Sequence, residues 1–270
     1  DDINFFCNLI SNKQGVEFID ELLELLNIKY EINDNYIKHL PKNKPFIVIS
    51  NHPFGFLDGL IMLSIFCKHN NNFKVMANYF LSQFEPVNNL FIELNPFSQG
   101  NAKNVKGLKT AYKHLNNGHA MGIFPAGEVA TFQANTGKIE DKLWDKQTIK
   151  FIAKTKLPIV PLYISGNNSL NFHLLGKIHP NLRTLSIPAE FFNKSNQTIN
   201  CRIGKPLYPA DLNFTTDYDN LGRFLRIYLY SLNSQVNVKK FFKPVKLTSK
   251  KAAQRTPQEC TQSQPTPELN

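Results

Sequence analysis

The sequence predicts an α/β fold, a single domain whose largely parallel central sheet is flanked by helices. Two observations carry that expectation. Short apolar runs with β-branched residues recur along the chain and stop at Pro/Gly loops, as buried strands do. Between them lie longer segments with apolar residues every three or four positions, the signature of a helix with one buried face. Strands alternating with helices pack as a parallel sheet covered on both sides.

The elements follow in order. Val16, Ile19, Leu22, Leu23 and Leu26 form one apolar stripe, predicting a helix over about residues 15–28. Phe46-Ile47-Val48-Ile49 reads as a buried strand that runs into the loop Asn51-His52-Pro53-Phe54-Gly55. From Asp58 onward, Leu60, Ile61, Leu63, Ile65 and Phe66 predict a buried helix with Asp58 in its first turn. Residues 73–77 and 90–92 are further strands. A helix over 102–115 sets Val105, Leu108, Ala111, Tyr112 and Leu115 on one face, with Lys106, Lys109 and Lys113 roughly opposite. Residues 119–124 make a strand that ends in Pro125-Ala126-Gly127. A helix over 148–154 and a strand over 157–164 come next, with Pro158 and Pro161 placed near the strand's ends. Segments 188–192, 198–203 and 219–232 are expected as helix, strand and helix.

The domain plan is an N-terminal helical segment over 1–40, the main domain over 41–243, and a disordered tail over 244–270. The tail is rich in Lys, Thr, Ser, Gln and Pro and has almost no large apolar residue, too little to offset the entropy of ordering. The rest has ample core material, with 42% hydrophobic residues and 22 Phe.

A formal net charge of +10 suggests an anionic partner, a lipid surface or a nucleic acid. Nucleic acid is not expected, because the charge is spread along the chain and no DNA- or RNA-reading motif accompanies it. Cys7, Cys67, Cys201 and Cys260 are too scattered for a zinc site or a disulfide framework and read as thiols in a reducing compartment. The histidines outside the loop lack metal-ligand spacing, so no metal is expected. No apolar run approaches the ~20 residues of a membrane span, so contact with a bilayer would be peripheral. The chain opens on Asp1 rather than Met, which leaves room for a preceding segment.

Two stretches can carry chemistry. In the first, a strand delivers His52 onto a Pro/Gly loop, and Asp58 follows six positions later at a helix start. A neutral imidazole can take a proton from a hydroxyl, and a carboxylate on its other ring nitrogen would fix the tautomer. No serine or cysteine is needed when the substrate brings the hydroxyl. An isolated His and Asp in such places more often cap a turn and a helix. In the second stretch, Phe124-Pro125-Ala126-Gly127-Glu128 puts a carboxylate directly after a strand end, where parallel sheets bind ligands. Gly127 would let the backbone approach a ligand closely, and Glu128 could bond a substrate hydroxyl or cation. Taken alone, it also reads as an ordinary turn with an exposed Glu.

Together these stretches resemble the 1-acylglycerol-3-phosphate acyltransferase superfamily, and within it the hemolysin-like branch of aminolipid (ornithine or glycine lipid) O-acyltransferases. The matching pieces are residues 51–59, 124–129 and 160–169, supported by Asn95-Pro96-Phe97, residues 104–115 and His179-Pro180-Asn181-Leu182-Arg183-Thr184, all in order between about 15 and 207. Two departures stand out. Five residues separate His52 from Asp58 where the broad superfamily has four. Glu128 also follows Gly127 rather than preceding it. Both shifts occur in the aminolipid-type branch and count against phosphatidic acid synthesis.

The resemblance implies a glycerolipid-acyltransferase-like fold, with His52 as general base and Asp58 as its orienting partner. Pro125, Gly127 and Glu128 would stand in the acceptor site. It implies a thioester acyl donor on coenzyme A or acyl carrier protein, a lyso-lipid acceptor, and no resident cofactor. The Gly55 loop is a candidate source of oxyanion N–H donors. Lys103 and Lys106 are candidates to meet a phosphate or carboxylate on the acceptor. Lys109 and Lys113 read more simply as a solvated face, with anionic lipid headgroups as the other use. The expected location is peripheral, on the cytoplasmic face of a bacterial inner membrane. Phosphatidic-acid formation is the alternative within enzymes, and a non-catalytic basic protein binding membrane or nucleic acid is the alternative outside them.

Overall fold

The computed structural model describes residues 12–32, 36–42, 44–78, 84–94, 102–210, 212 and 217–233, without the side chains of 78, 94 and 102–105. All of these lie in one compact unit that runs to Val236. Strands are β1 Lys29–Ile32, β2 Ile47–Ser50, β3 Lys74–Asn78, β4 Phe91–Leu94, β5 Met121–Ile123, β6 Thr131–Gln133, β7 Lys138–Glu140, β8 Ile159–Ile164 and β9 Thr198–Ile203. Helices are α1 Gly15–Leu25, α2 Phe56–Phe66, α3 Ala102–Asn116, α4 Lys146–Thr155, α5 Leu170–Ile178, α6 Pro180–Leu185, α7 Ile187–Phe192 and α8 Tyr218–Ser231.

Seven strands form one sheet in the order β1-β9-β8-β2-β5-β3-β4. The five from β8 to β4 run parallel. At β9 the direction reverses, and β1 pairs parallel to β9. The sheet is therefore largely parallel, as the alternating pattern predicts. β6 and β7 form a separate hairpin.

Burial explains the layering. Successive residues of a strand face opposite sides, and the two faces of β2 enter different cores. Val48 joins Phe18, Leu60 and Phe191 under α1, α2 and α7. Ile47 and Ile49 join Ala111, Ile152 and Leu225 under α3, α4 and α8. Helix α2 has no polar face, for every residue from Leu57 to Phe66 is buried, which suits a helix enclosed on all sides. It lies close on the sheet because β5 presents Gly122, where a Cβ would stand 2.1 Å from the Met62 sulfur.

Several elements differ from expectation. The segment before residue 40 contains α1 and also strand β1, whose Tyr30 hydroxyl bonds the buried Ser64 of α2. The hairpin β6–β7 and the helices α5 and α6 go beyond the sequence reading. Pro161 stands inside β8 rather than near its end. It is tolerated there because the antiparallel ladder steps from Leu207 to Ile203, and the Gly204 amide donates to the Pro161 carbonyl across the step. The expected tail over 244–270 lies outside the described residues.

Candidate active site

The carboxyl ends of β2, β5 and β8 converge, and the loops leaving them build the site. After β2 the chain turns sharply through Gly55, at φ +94° and ψ −117°, a conformation that L side chains rarely adopt. That turn folds 51–55 back over the start of α2. Asp58, fully buried in the first turn, has one carboxylate oxygen that accepts three bonds. His52 Nδ1 lies at 2.8 Å, the Phe54 amide at 2.9 Å and the Gly55 amide at 2.8 Å. Its other oxygen, Oδ1, is buried without a hydrogen-bond partner. Asp58 thus caps the helix and also holds the imidazole, combining two roles that the sequence offered as rivals.

With Asp58 ionised, the proton on His52 belongs on Nδ1, which leaves Nε2 as the basic nitrogen. Among the described residues no hydrogen bond reaches Nε2, and the side chain is 16% exposed. The ring lies over Phe124 with centroids 4.1 Å apart and planes 21° from parallel. The loop is pinned from β8 and from the residues flanking the β6–β7 hairpin. Asn51 clamps β8 with its amide nitrogen on the Ile164 carbonyl at 2.7 Å and its oxygen on the Ile164 amide at 2.8 Å. Ala130 donates to the His52 carbonyl at 2.8 Å, and the His52 amide donates to Asp141 Oδ1 at 3.1 Å.

Asp141 is itself buried. Its second oxygen accepts the Trp144 indole N–H at 3.1 Å. Burial raises its carboxyl to about 6, even though the His52 amide, Trp144 and Arg226 pull the other way. Helix α8 reaches this residue twice, through Arg226 on the Asp141 carbonyl and through the Tyr230 hydroxyl, which accepts from the Asp141 amide.

The second sequence motif folds as a turn, with the Gly127 amide on the Phe124 carbonyl at 3.0 Å. Gly127 is exposed at φ +70° with open space beside it, so its backbone is accessible. Pro125 is buried, and its carbonyl accepts from Asp145 at the start of α4, a structural task. Glu128 bonds Lys142 at 2.8 Å and Arg183 at 2.9 Å. Its partial burial would raise the carboxyl, but Lys142 and Arg183 outweigh burial and lower it.

The structure therefore brings together His52 and Asp58, and it sets Gly127 and Glu128 two to three residues before Ala130 on the His52 backbone. It corrects the expectation for Gly55. That residue is buried, its amide is committed to Asp58, and a Cβ there would stand 3.2 Å from Val129, so Gly55 shapes the loop and offers no oxyanion donor. Lys106 is exposed on α3 and makes no ion pair among the described residues. The side chain of Lys103 and the segment Asn95-Pro96-Phe97 lie outside the described residues. A cleft of about 490 Å³ between the β6–β7 hairpin and the end of β8 is lined by Phe132, Ile139, Tyr163, Ser165 and Gly166, among others, and includes neither His52 nor Asp58. Cys67 is buried and its thiol is pushed up to about 12, which removes it as a nucleophile.

A family model described as acyltransferase matches residues 1–238 of the chain. The chain belongs to the acyltransferase family. It is 28% identical to the lyso-glycine lipid O-acyltransferase of Phocaeicola vulgatus over 86% of this chain and 83% of that protein. It is also 28% identical to the lyso-glycine lipid O-acyltransferase of Bacteroides thetaiotaomicron, over 77% of this chain and 76% of that one. In fold it is similar to the crystal structure of the 1-acyl-sn-glycerophosphate acyltransferase PlsC from Thermotoga maritima. There the TM-score is 0.53 and the identity 18%, over 81% of this chain and 76% of that one.

Several residues at this candidate site escaped sequence reading. No local pattern marks Asp141 and Lys142, whereas Arg183 stands in the His179 to Thr184 stretch that carries part of the resemblance, with no role assigned to it there. Phe124 carried a signal, since it opens the second motif at a strand end.

Proposed function

We propose that this acyltransferase moves a fatty acyl group from an acyl thioester to the hydroxyl of a lyso-lipid, with an aminolipid as the favoured acceptor. The observation that carries the reading is the 2.8 Å bond between His52 Nδ1 and Asp58. It leaves Nε2 to take the acceptor's proton. The alkoxide oxygen attacks the thioester carbonyl carbon and forms a tetrahedral oxyanion. Collapse expels the thiolate, which recovers the proton from the imidazolium, so the products are an ester and a free thiol. Asp58 stabilises the transient imidazolium through the same bond. The chemistry requires no resident cofactor, and coenzyme A or acyl carrier protein would be the carrier.

The acceptor class rests on the similarity to the two lyso-glycine lipid O-acyltransferases and on the Glu128 cluster. An amino-acid head group carries a carboxylate, and Arg183 and Lys142 beside Glu128 supply cations at the rim of the site. The deciding experiment supplies lyso-glycine lipid, lyso-ornithine lipid and lysophosphatidate side by side, with acyl-CoA or acyl carrier protein thioester as donor. Turnover of an aminolipid at least tenfold faster than lysophosphatidate is expected, and it should vanish in His52→Ala. Preference for lysophosphatidate, or a fully active His52→Ala, would refute the reading.

A further inference from the structure

Helices α5 and α6 carry an apolar surface that no described residue covers. Leu170, Leu174 and Ile178 lie four residues apart on one side of α5, and Leu182 and Leu185 lie three apart on α6. Leu170 is 72% exposed, Ile178 74% and Leu185 76%, values at which a soluble protein gains nothing from aliphatic side chains. Phe132 of the hairpin, also exposed, stands beneath the Lys177 ammonium at 5.1 Å.

Charge is one-sided here. From Ser165 to Ala189 the sequence contains Lys177 and Arg183 and no acidic residue. Arg183 is already paired with Glu128, but Lys177 makes no ion pair among the described residues, so a second copy of the chain docking through this surface by a two-fold axis would set Lys177 against itself with no local carboxylate to neutralise it. An anionic bilayer supplies both needs, acyl chains for the aliphatic row and phosphate for Lys177.

The surface is also joined to the turn after β5 that carries Glu128. Arg183 crosses α5 at Gly176, where a Cβ would stand 3.0 Å from its Cδ, and ends on Glu128. We infer that the α5–α6 hairpin is the membrane-docking surface of this chain, seating Leu170, Leu174, Ile178, Leu182 and Leu185 in the acyl region of an anionic leaflet with Lys177 at the phosphate level. The inference rests on the proposed lyso-lipid chemistry for its purpose, because an acceptor held in a leaflet must be met at the leaflet.

The test uses the full chain and vesicles of phosphatidylglycerol or phosphatidylcholine in a flotation assay. The parent should float with phosphatidylglycerol vesicles, and the triple variant Leu170→Ser/Ile178→Ser/Leu185→Ser should bind them at least tenfold more weakly. Lys177→Glu should lower the phosphatidylglycerol preference severalfold. The triple variant should keep the parent's melting temperature within a few degrees, and its turnover of detergent-dispersed acceptor within about twofold, while losing turnover of acceptor embedded in vesicles. Vesicle binding by the triple variant equal to the parent's would overturn the inference. So would a parent that does not bind, or sedimentation showing that the substitutions dissolve a dimer and leave vesicle binding intact. If dispersed acceptor is not turned over by the parent, the proposed reaction fails, and flotation still decides the docking surface.

Discussion

Asp58 has two tasks, and different substitutions separate them. Asp58→Asn retains an oxygen for the Phe54 and Gly55 amides but no longer enforces the His52 tautomer. Its expected effect is a fall in kcat on the order of 10³-fold with little change in KM, since the comparable change in a serine protease triad costs about 10⁴. Asp58→Ala leaves both amides unpaired in a buried turn and should also lower stability by about 2–4 kcal/mol in urea titrations. Asp141 makes a prediction about pH. Its carboxyl is raised from 3.8 to about 6, so the folded state holds the proton more tightly than the unfolded chain. The stability this group confers is full below pH 4 and declines as pH rises from about 4 to about 6. Denaturant titrations of the parent and of Asp141→Asn should differ by an amount that changes by a few kcal/mol across that window and is flat above it. A constant difference would refute the assignment.

At the scale of elements, the loop between β2 and α2 depends on a turn that only glycine enters easily. Gly55→Ala would put a Cβ into φ +94° and 3.2 Å from Val129, at a cost of about 2 kcal/mol. For a chain of this size the melting temperature should fall by roughly 4–8 °C, and activity should fall with it as Asp58 loses its amides. Thermal melts and turnover on one preparation would check both. The same loop shows what was legible beforehand. Phe46 to Ile49 and the Pro/Gly residues after it announce a strand and a turn, so His52 and Asp58 can be placed from local pattern alone. Asp58 closing on His52 through one oxygen is also a local matter, six residues across a helix start. The hairpin β6–β7 was illegible because its strands are three residues each and mostly half exposed, giving no apolar alternation to read. Helix α5 was missed because its outward face is aliphatic, so the periodic contrast that marks a helix is blurred.

Across the whole molecule, the site is assembled from segments that the sequence holds far apart. Asn51 clamps a residue 113 positions later, and the His52 amide bonds one 89 positions later. Such partners cannot be found from composition or spacing, which is why Asp141 and Lys142 emerge only from the fold, and why Arg183, though part of the His179 to Thr184 stretch, finds its partner only there. The distribution of core residues was easier, because both faces of a parallel sheet must be covered and the apolar stripes of α1 and α3 say which side of each helix does it. A chain ending at residue 217 retains every catalytic and acceptor-site candidate yet lacks α8, with its buried Leu221, Leu225 and Leu229. It should be inactive, and proteolysis should cut its 51–58 loop faster than the parent's.

The reach of α8 back to Asp141 has a bearing on biosynthesis. During translation β2 and its histidine leave the ribosome early, but Arg226 and Tyr230, which brace the residue under that histidine, emerge 174 and 178 codons later. An unfinished polypeptide therefore holds the imidazole on an unbraced loop, and the site is complete only once residue 230 has left the ribosome.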